Sequence, residues 1–579
     1  PDSTDQNSGY DQTRADFSFD RGSNAAATRI GSDGLIKKYR ENKLLQSNQF
    51  DTTWVNSNST ETGGQSGYDG TNDAWLLDKS AANGRVVQFL SQNSGVQTFS
   101  VYAKAGSLNW LKLQVYDGTS LYYASFDLAN GVLGSGSNLI DSSITSIGGG
   151  WYRCFIAVNC NNQLVYIYPA DGNGDTSGTS GNIYIQNAQL ETGLAATDVL
   201  TSGATTAKAG VLIDLPRINY DANGENGALL LEPSRANLIP QSEYFGESGN
   251  KSNSSFSYNV ATSPEGLQNA GKFIPTSGAT TTRLYYGPVG SGSAVLSVYA
   301  KAAEYDSILI AGFTGGVYLN AAINLTSGTI IGTPTVDDYD IEPMGNGWYR
   351  VWIYVASSTA RYWNVSVGNS TDSHNDSSFT IPAANGTDGL LMYGLQWEFD
   401  SSYPSSYIPN HGTSGGVTRA ADSCTGGGSA ESINSVEGVL YAEIAALTNT
   451  GGSRYIAMTD NTGNNEIVIQ YNSTSNRIGA YMYINGIGYT SSLGYVVTDV
   501  TYFHKVAFKW AVNDFSLWID GVERATDISG ATFVPNVLKR LDFGAGPGGG
   551  SLPFYGKTKQ VAVFNEALLD SELATLTTL

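Results

Sequence analysis

Gly347-Trp348-Tyr349-Arg350-Val351-Trp352-Ile353-Tyr354-Val355 is the stretch on which the reading of the fold turns. Side chains of a strand alternate between its two faces. Trp348, Arg350, Trp352 and Tyr354 therefore point one way, and Tyr349, Val351, Ile353 and Val355 the other. Both sets are largely apolar, which suits an inner strand covered on two sides. The opening phrase occurs again as Gly150-Trp151-Tyr152-Arg153, 197 residues earlier. Phe99-Ser100-Val101-Tyr102-Ala103-Lys104-Ala105 and Leu296-Ser297-Val298-Tyr299-Ala300-Lys301-Ala302 share that offset of 197. Upstream, Leu45-Gln46-Ser47 with Phe50 matches Pro240-Gln241-Ser242 with Phe245 at 195, and downstream Gln189-Leu190-Glu191 matches Gln396-Trp397-Glu398 at 207. The last difference implies about ten residues inserted in the second copy, and the whole pattern is a duplication.

Strand candidates in each copy are separated by turns such as Asp171-Gly172-Asn173-Gly174, with no helical period between them. This predicts antiparallel β-sandwiches of jelly-roll type, over 41–205 and 231–422. Residues 206–230 read as an extended linker that pairs with the sandwich following it, and 1–40 as an N-terminal extended, anchoring segment. The Gly/Ser run Thr425-Gly426-Gly427-Gly428-Ser429 marks a further boundary. Beyond it, 423–579 forms a third sandwich. There Phe515-Ser516-Leu517-Trp518-Ile519-Asp520-Gly521-Val522-Glu523 predicts a hairpin turning at Asp-Gly, and a short final helix is expected with Asp570 or Ser571 as its cap. The fold class is all-β: two jelly rolls and one further sandwich in tandem.

Composition agrees. The chain has 579 residues, several times an ordinary domain, so three to four cores are expected. Only 14% of residues are charged, against roughly 25% in an average domain. The polar surface must come from Ser, Thr, Asn and Gly. A net charge of −21 and the lack of Lys/Arg clusters with interleaved aromatics argue against nucleic acid as a partner. No apolar run reaches the roughly 20 residues of a spanning helix, so no membrane insertion is expected. Pro1-Asp2-Ser3-Thr4-Asp5 lacks the basic start of a secretory signal. Three cysteines make no disulfide framework; Cys154, Cys160 and Cys424 are read as free thiols, which fits assembly in a reducing cytoplasm.

Four phrases occur in order: Leu231-Glu232-Pro233-Ser234-Arg235-Ala236-Asn237-Leu238, Ser297-Val298-Tyr299-Ala300-Lys301-Ala302, Gly347-Trp348-Tyr349-Arg350 and Val417-Thr418-Arg419-Ala420-Ala421-Asp422. Together they resemble a module of phage tail-fibre and other virion structural proteins, similar to carbohydrate-binding jelly rolls. The first copy departs from it, with Thr206-Ala207-Lys208-Ala209 where the second has Thr418-Arg419-Ala420-Ala421. The segment from about 430 resembles laminin-G or concanavalin-A-like lectin sandwiches, through Leu517-Trp518-Ile519-Asp520-Gly521 and Val561-Ala562-Val563-Phe564-Asn565-Glu566-Ala567-Leu568. The resemblance implies a virion or lectin-like setting. It names no ligand.

Catalytic chemistry finds no pattern to rest on. His374, His411 and His504 stand in no metal-ligand spacing, and there is no nucleophile elbow or phosphate loop. His504 is read as a hydrogen-bonded structural residue. Glycoside hydrolysis needs only two carboxylates, but the densest acidic group, Asp337-Asp338-Tyr339-Asp340 with Glu342, reads as a solvated loop. No metal and no cofactor are expected, and the chain is expected not to be an enzyme.

Sugar binding needs flat aromatic faces flanked by polar groups. The candidate platforms are Trp110, Tyr122 and Tyr123 in the first module, Tyr285, Tyr286 and Trp363 in the second, and Tyr471, Tyr481 and Tyr483 in the third. Trp151 and Trp348 are assigned to the core. The reading as a whole expects a bacteriophage virion appendage, a tail fibre, head fibre or decoration protein, adhering to host surface polysaccharide. Its expected partners are other virion proteins and itself, as a homo-oligomer and possibly a trimer. It would be assembled in the host cytoplasm. A purely architectural virion protein, a depolymerase and a bacterial surface lectin are the alternatives.

Overall fold

The computed structural model describes residues 17–22, 26–247, 249–287, 292–314, 316–356, 362–449, 452–486, 488–544 and 552–579. Most of the anchoring segment expected at 1–40 is described, but 1–16 and 23–25 lie outside. The described chain is strands throughout, with one helix, Asp570–Thr577.

The first module is two six-stranded antiparallel sheets. One orders Val132–Ser137, Leu121–Asp127, Trp110–Tyr116, Asn162–Ala170, Arg85–Asn93 and Val55–Ser57. The other orders Asp141–Gly148, Trp151–Asn159, Val96–Ala105, Gly181–Thr192, Ala74–Lys79 and Ser59–Gln65. The second module repeats this topology strand for strand. Its first sheet runs Thr329–Ile331, Val317–Asn324, Ser307–Thr314, Tyr362–Gly368, Arg283–Tyr286, Asn250–Ser252. The inserted residues fall in the connection after Tyr362–Gly368, which carries a small extra hairpin of Ser373–His374 and Phe379–Thr380. Each module has its own core between its sheets, around Phe99, Leu113 and Ile156 in the first and Leu296, Ile310 and Ile353 in the second.

The duplication also preserves a buried polar lattice. The Asn42 amide donates to the carbonyls of Ala188 and Leu200 and accepts from the Leu190 N–H; Asn237 does the same with Leu395, Ile408 and Trp397. Arg153 donates to the Thr197 carbonyl and Arg350 to that of Ser405. These bonds tie a non-strand segment over the outside of the second sheet. Trp151 and Trp348 are buried on that same outer side, Trp348 donating to the Thr262 carbonyl at 3.1 Å. Their alternate neighbours, Val351 and Ile353, fill the core between the sheets.

The two jelly rolls fall in one compact unit, 38–210 with 236–417. Within it Lys38 sits between Glu243 at 2.6 Å and Glu265 at 2.8 Å, and Tyr393 donates to both carboxylates. Asn259 donates to Asp141 at 2.7 Å, and the Val96 N–H to the His411 carbonyl at 2.7 Å.

The other unit joins 1–37, 211–235 and 418–579. Its sandwich has a seven-stranded sheet, Ile218–Asn219, Ala228–Leu231, Gly556–Phe564, Gly438–Ala446, His504–Ala511, Asp514–Ile519 and Val522–Asp527. A five-stranded sheet of Gly488–Val496, Arg477–Ile484, Glu466–Tyr471, Arg454–Thr459 and Arg540–Asp542 faces it. The supposed linker 206–230 is thus corrected. Leu229, Leu230 and Leu231 pair with Thr558, Lys557 and Gly556, so this apolar run completes the C-terminal sandwich instead of the module that follows it. Ser18–Asp20 pairs with Ser423–Thr425 and puts Phe17 and Phe19 against the same core.

Two smaller expectations change. The acidic group at 337–342 is no loop: Asp338–Pro343 is an edge strand on Trp348–Val355, and its charges keep that edge from pairing further. The helix is capped one residue earlier than expected, at Leu569, whose N–H donates to Glu572 at 2.8 Å. The Asp520-Gly521 turn is as read, both residues having φ near +50 to +80°. Cys154, Cys160 and Cys424 are buried thiols outside any disulfide, and His504 is held between Asp520 and the Asp499 carbonyl.

Candidate aromatic faces

Alternation decides which of the candidate rings are available. Leu111, Leu113 and Val115 point into the first core, so Trp110, Lys112, Gln114 and Tyr116 lie on the outer face of that sheet. The register carries this face across four strands. One row is Tyr166, Gln114, Tyr123; the next is Arg85, Tyr168, Lys112, Ser125, with Trp110 beside it against Ala170 and Asp127. The Lys112 ammonium lies 4.4 Å from the centre of the Tyr123 ring and 5.6 Å from that of Tyr168. The Arg85 guanidinium carbon lies 5.6 Å from Tyr166 and 5.7 Å from Tyr168, and those two rings stack at 5.9 Å. Cations thus alternate with aromatic rings along the face. Burial lowers the Lys112 ammonium below its ordinary value, and it pushes the Tyr168 phenol up to about 12 despite Arg85.

Gly134 shows how tightly this face is built. A methyl group there would come within 2.6 Å of the Trp110 ring and 2.5 Å of Asn173, so glycine is what lets the indole lie down on the edge strand.

The second module has the same face. Leu284 and Tyr286 are core, so Arg283 and Tyr285 point outward, joined by Phe313, Tyr318 and Tyr362 around a cavity of about 290 Å³. Arg283 occupies the position of Arg85: each starts the corresponding strand, and its carbonyl accepts from Ser254 as that of Arg85 does from Ser59. The Lys112 position is Leu309 here, fully buried. The inserted segment lies over it, the Asn364 amide donating to the Ser377 carbonyl and the Phe379 N–H to Ser366. Among the described residues, the Arg283 end stays open.

Of the nine candidate rings, then, Trp110, Tyr123 and Tyr285 lie on these faces. Tyr122 and Tyr286 are corrected to inward positions, because two consecutive strand residues cannot share a face. Tyr122 packs on the core edge and donates to Asp117 at 2.9 Å, and Tyr286 donates to the Phe245 carbonyl. Trp363 is buried edge-on against Trp397 at 5.2 Å, Tyr471 is buried against Phe554, and Tyr481 is buried beside Tyr455. Tyr483 alone of the third set is half-buried. Near it Glu466 is fully buried with one oxygen unpartnered, and burial raises its carboxyl to about 7, although Tyr481 donates to it at 3.4 Å.

The sequence reading missed Arg85, Lys112, Tyr166 and Tyr168, and in the second copy Arg283, Tyr318 and Tyr362. The available signal was Tyr166-Ile167-Tyr168, a period-two aromatic pair, and a Lys two residues from Trp110.

Two other charged clusters are structural in geometry. Arg217 pairs with Glu232 at 2.8 Å and with Asp422, Arg419 with Glu232, and Arg21 with Asp422 at 3.2 Å, all buried. Glu232, Arg419 and Asp422 belong to the two phrases at 231–238 and 417–422, so the phrases weld strands together. Glu243 and Glu265 share the Lys38 ammonium; burial works to raise the Glu243 carboxyl, and Lys38, His411 and the Tyr407 hydroxyl together more than offset it, leaving it below its ordinary value. No group of three or more His, Cys, Asp or Glu fit for a metal occurs among the described residues.

Comparison with known proteins bears on the fold. Residues 441–574 match a family model described as the concanavalin A-like lectin/glucanases superfamily. No curated protein matches the chain. The solved structures it is similar to include the CBM40 of Ruminococcus gnavus IT-sialidase bound to α2,3-sialyllactose (16% identity, 24% of this chain and 83% of that one, TM-score 0.22). Another is mouse laminin α1 domains LG4-5, at 10% identity over 51% and 90% of the two chains and a TM-score of 0.18. Sheep galectin-11 is a third, at 11% identity over 22% and 89%, TM-score 0.16. Sheets, cores and the matched family together make this an all-β chain of tandem antiparallel sandwiches, the last of them concanavalin A-like.

Proposed function

We propose that this chain is a non-catalytic adhesin of a bacteriophage particle that binds host surface glycans through the outer faces of its two jelly rolls. The observation that carries the reading is the repeated face: Arg85 and Arg283 stand at equivalent positions beside outward tyrosines in both copies. Rings offer stacking to the apolar C–H patches of a sugar, and the flanking cations and amides offer hydrogen bonds. Two faces per chain, multiplied over an oligomer, give avidity from individually weak contacts. The phrases shared with virion proteins support the setting on a phage particle.

Binding of the purified full chain to host cells and their isolated polysaccharide tests adhesion. The expected result is saturable binding that Tyr123→Ala and Tyr285→Ala together reduce by about tenfold or more, as loss of two stacking contacts implies. Absence of binding by the unaltered chain overturns it. Labelling of intact virions by an antibody raised against the chain tests the setting.

A further inference from the structure

The first module's outer face presents two cations that no carboxylate neutralises. Among the described residues neither Lys112 nor Arg85 forms an ion pair, although the chain carries 52 acidic residues against 31 basic ones. The Arg85 guanidinium donates once, to the Asn83 carbonyl at 3.0 Å, and its Nε is buried without a partner. Opposite Lys112 in register stands Ser125, whose side-chain oxygen is buried and unpartnered. Other buried cations in this protein meet oxygen atoms: Lys38 two glutamates, Lys79 Asp171, Lys509 Asp514, and Arg350 the Ser405 carbonyl and the Ser297 hydroxyl. A cation placed between tyrosine rings is partly desolvated yet keeps its charge outward, a state that an incoming anion relieves.

From this we infer that the face formed by Lys112, Arg85, Tyr123, Tyr166 and Tyr168 takes a carboxylate-bearing segment of polysaccharide, such as a chain containing uronic acid. The rings receive the sugar faces, and the two cations receive carboxylates of the bound segment. The inference rests on the glycan-binding reading and names the chemistry of the ligand. It separates the two copies: the second offers Leu309, buried, in place of Lys112, so that among the described residues the cavity at Tyr285 is lined by one cation, Arg283. An excess of positive charge on one face also concentrates an anionic polymer against the repulsion of the acidic chain around it.

Titration of the full chain with polygalacturonate, with the same polymer after reduction of its carboxyls to alcohols, and with dextran sulfate tests the inference. Polygalacturonate is expected to bind at least about tenfold more tightly than its reduced form, with affinity falling as salt rises. Lys112→Gln and Arg85→Gln are each expected to weaken polygalacturonate several-fold more than they weaken the reduced polymer, their folding checked by thermal melts. Tighter binding of dextran sulfate, lost in the same variants, would reassign the face to sulfate esters and overturn the carboxylate. Equal binding of the acidic and reduced polymers, or binding of none of the three, overturns the inference, while binding to the isolated host polysaccharide decides the glycan-binding reading separately.

Discussion

Single residues carry two effects that can be measured apart from any ligand. Arg350 is buried, and its guanidinium holds the Ser405 carbonyl at 2.6 Å and Ser297 at 3.2 Å. Arg350→Ala removes these bonds and leaves a buried carbonyl short of a donor, so denaturant unfolding should show a loss of about 2–3 kcal/mol. Glu466 gives a pH signature. Its carboxyl is raised from 4.5 to about 7 by burial, so the folded protein keeps a proton that the unfolded chain gives up. The stabilisation is complete below the unfolded value and is lost as pH rises towards about 7. Between about pH 4 and pH 8 the C-terminal sandwich should lose about 2 kcal/mol, after a discount for screening, and Glu466→Gln should flatten that slope. An unchanged slope in the variant would exclude Glu466 as its source.

At the scale of elements, alternation and turn chemistry were open to reading from sequence, whereas the partner of a short apolar run was not. The strand at 348–355 is apolar on both sides because one side meets the core through Val351 and Ile353 and the other is roofed by a segment pinned through Arg350. Asp520-Gly521 turns the hairpin because both residues adopt positive φ, which only that kind of pair tolerates easily. Ala228–Leu231 had equal apolar claims on a neighbour either side of it in sequence, and the pairing with Gly556–Phe564, more than 300 residues on, leaves no local trace. The aromatic faces were half legible for the same reason. Single rings were visible, but Arg85, Lys112 and Tyr168 meet only when three strands are laid in register. A fragment starting at residue 423 therefore lacks part of its own sheet. It should be less stable and more prone to aggregate than one in which 211–235 is also supplied, as light scattering of the two preparations would show. Within the full chain, Glu232→Ala leaves Arg217 and Arg419 without a shared buried carboxylate, at a cost of about 3–5 kcal/mol.

For the whole molecule, the grouping of strands into two units makes a prediction that the count of three sandwiches does not. Both jelly rolls belong to one unit, with Lys38 buried between Glu243 and Glu265 and Tyr393 donating to both acids. Scanning calorimetry should accordingly resolve two transitions, one for the paired jelly rolls and one for the unit built around the C-terminal sandwich. Replacing Lys38 by Met removes the only ammonium that faces both carboxylates among the described residues and strands Glu243 in the interior. The jelly-roll transition should then fall by the equivalent of about 3–5 kcal/mol, or split as the two modules uncouple, while the other stays in place. Acid gives a second view of the same contact. Because Lys38 holds the Glu243 carboxyl below its ordinary value, the stability it contributes is present above about pH 4.5 and disappears as pH falls through the folded value. The Met variant should lose that acid-sensitive component. If instead the two jelly rolls of the unaltered chain melt separately, Lys38 is a local contact and the duplication has kept two independent folding units.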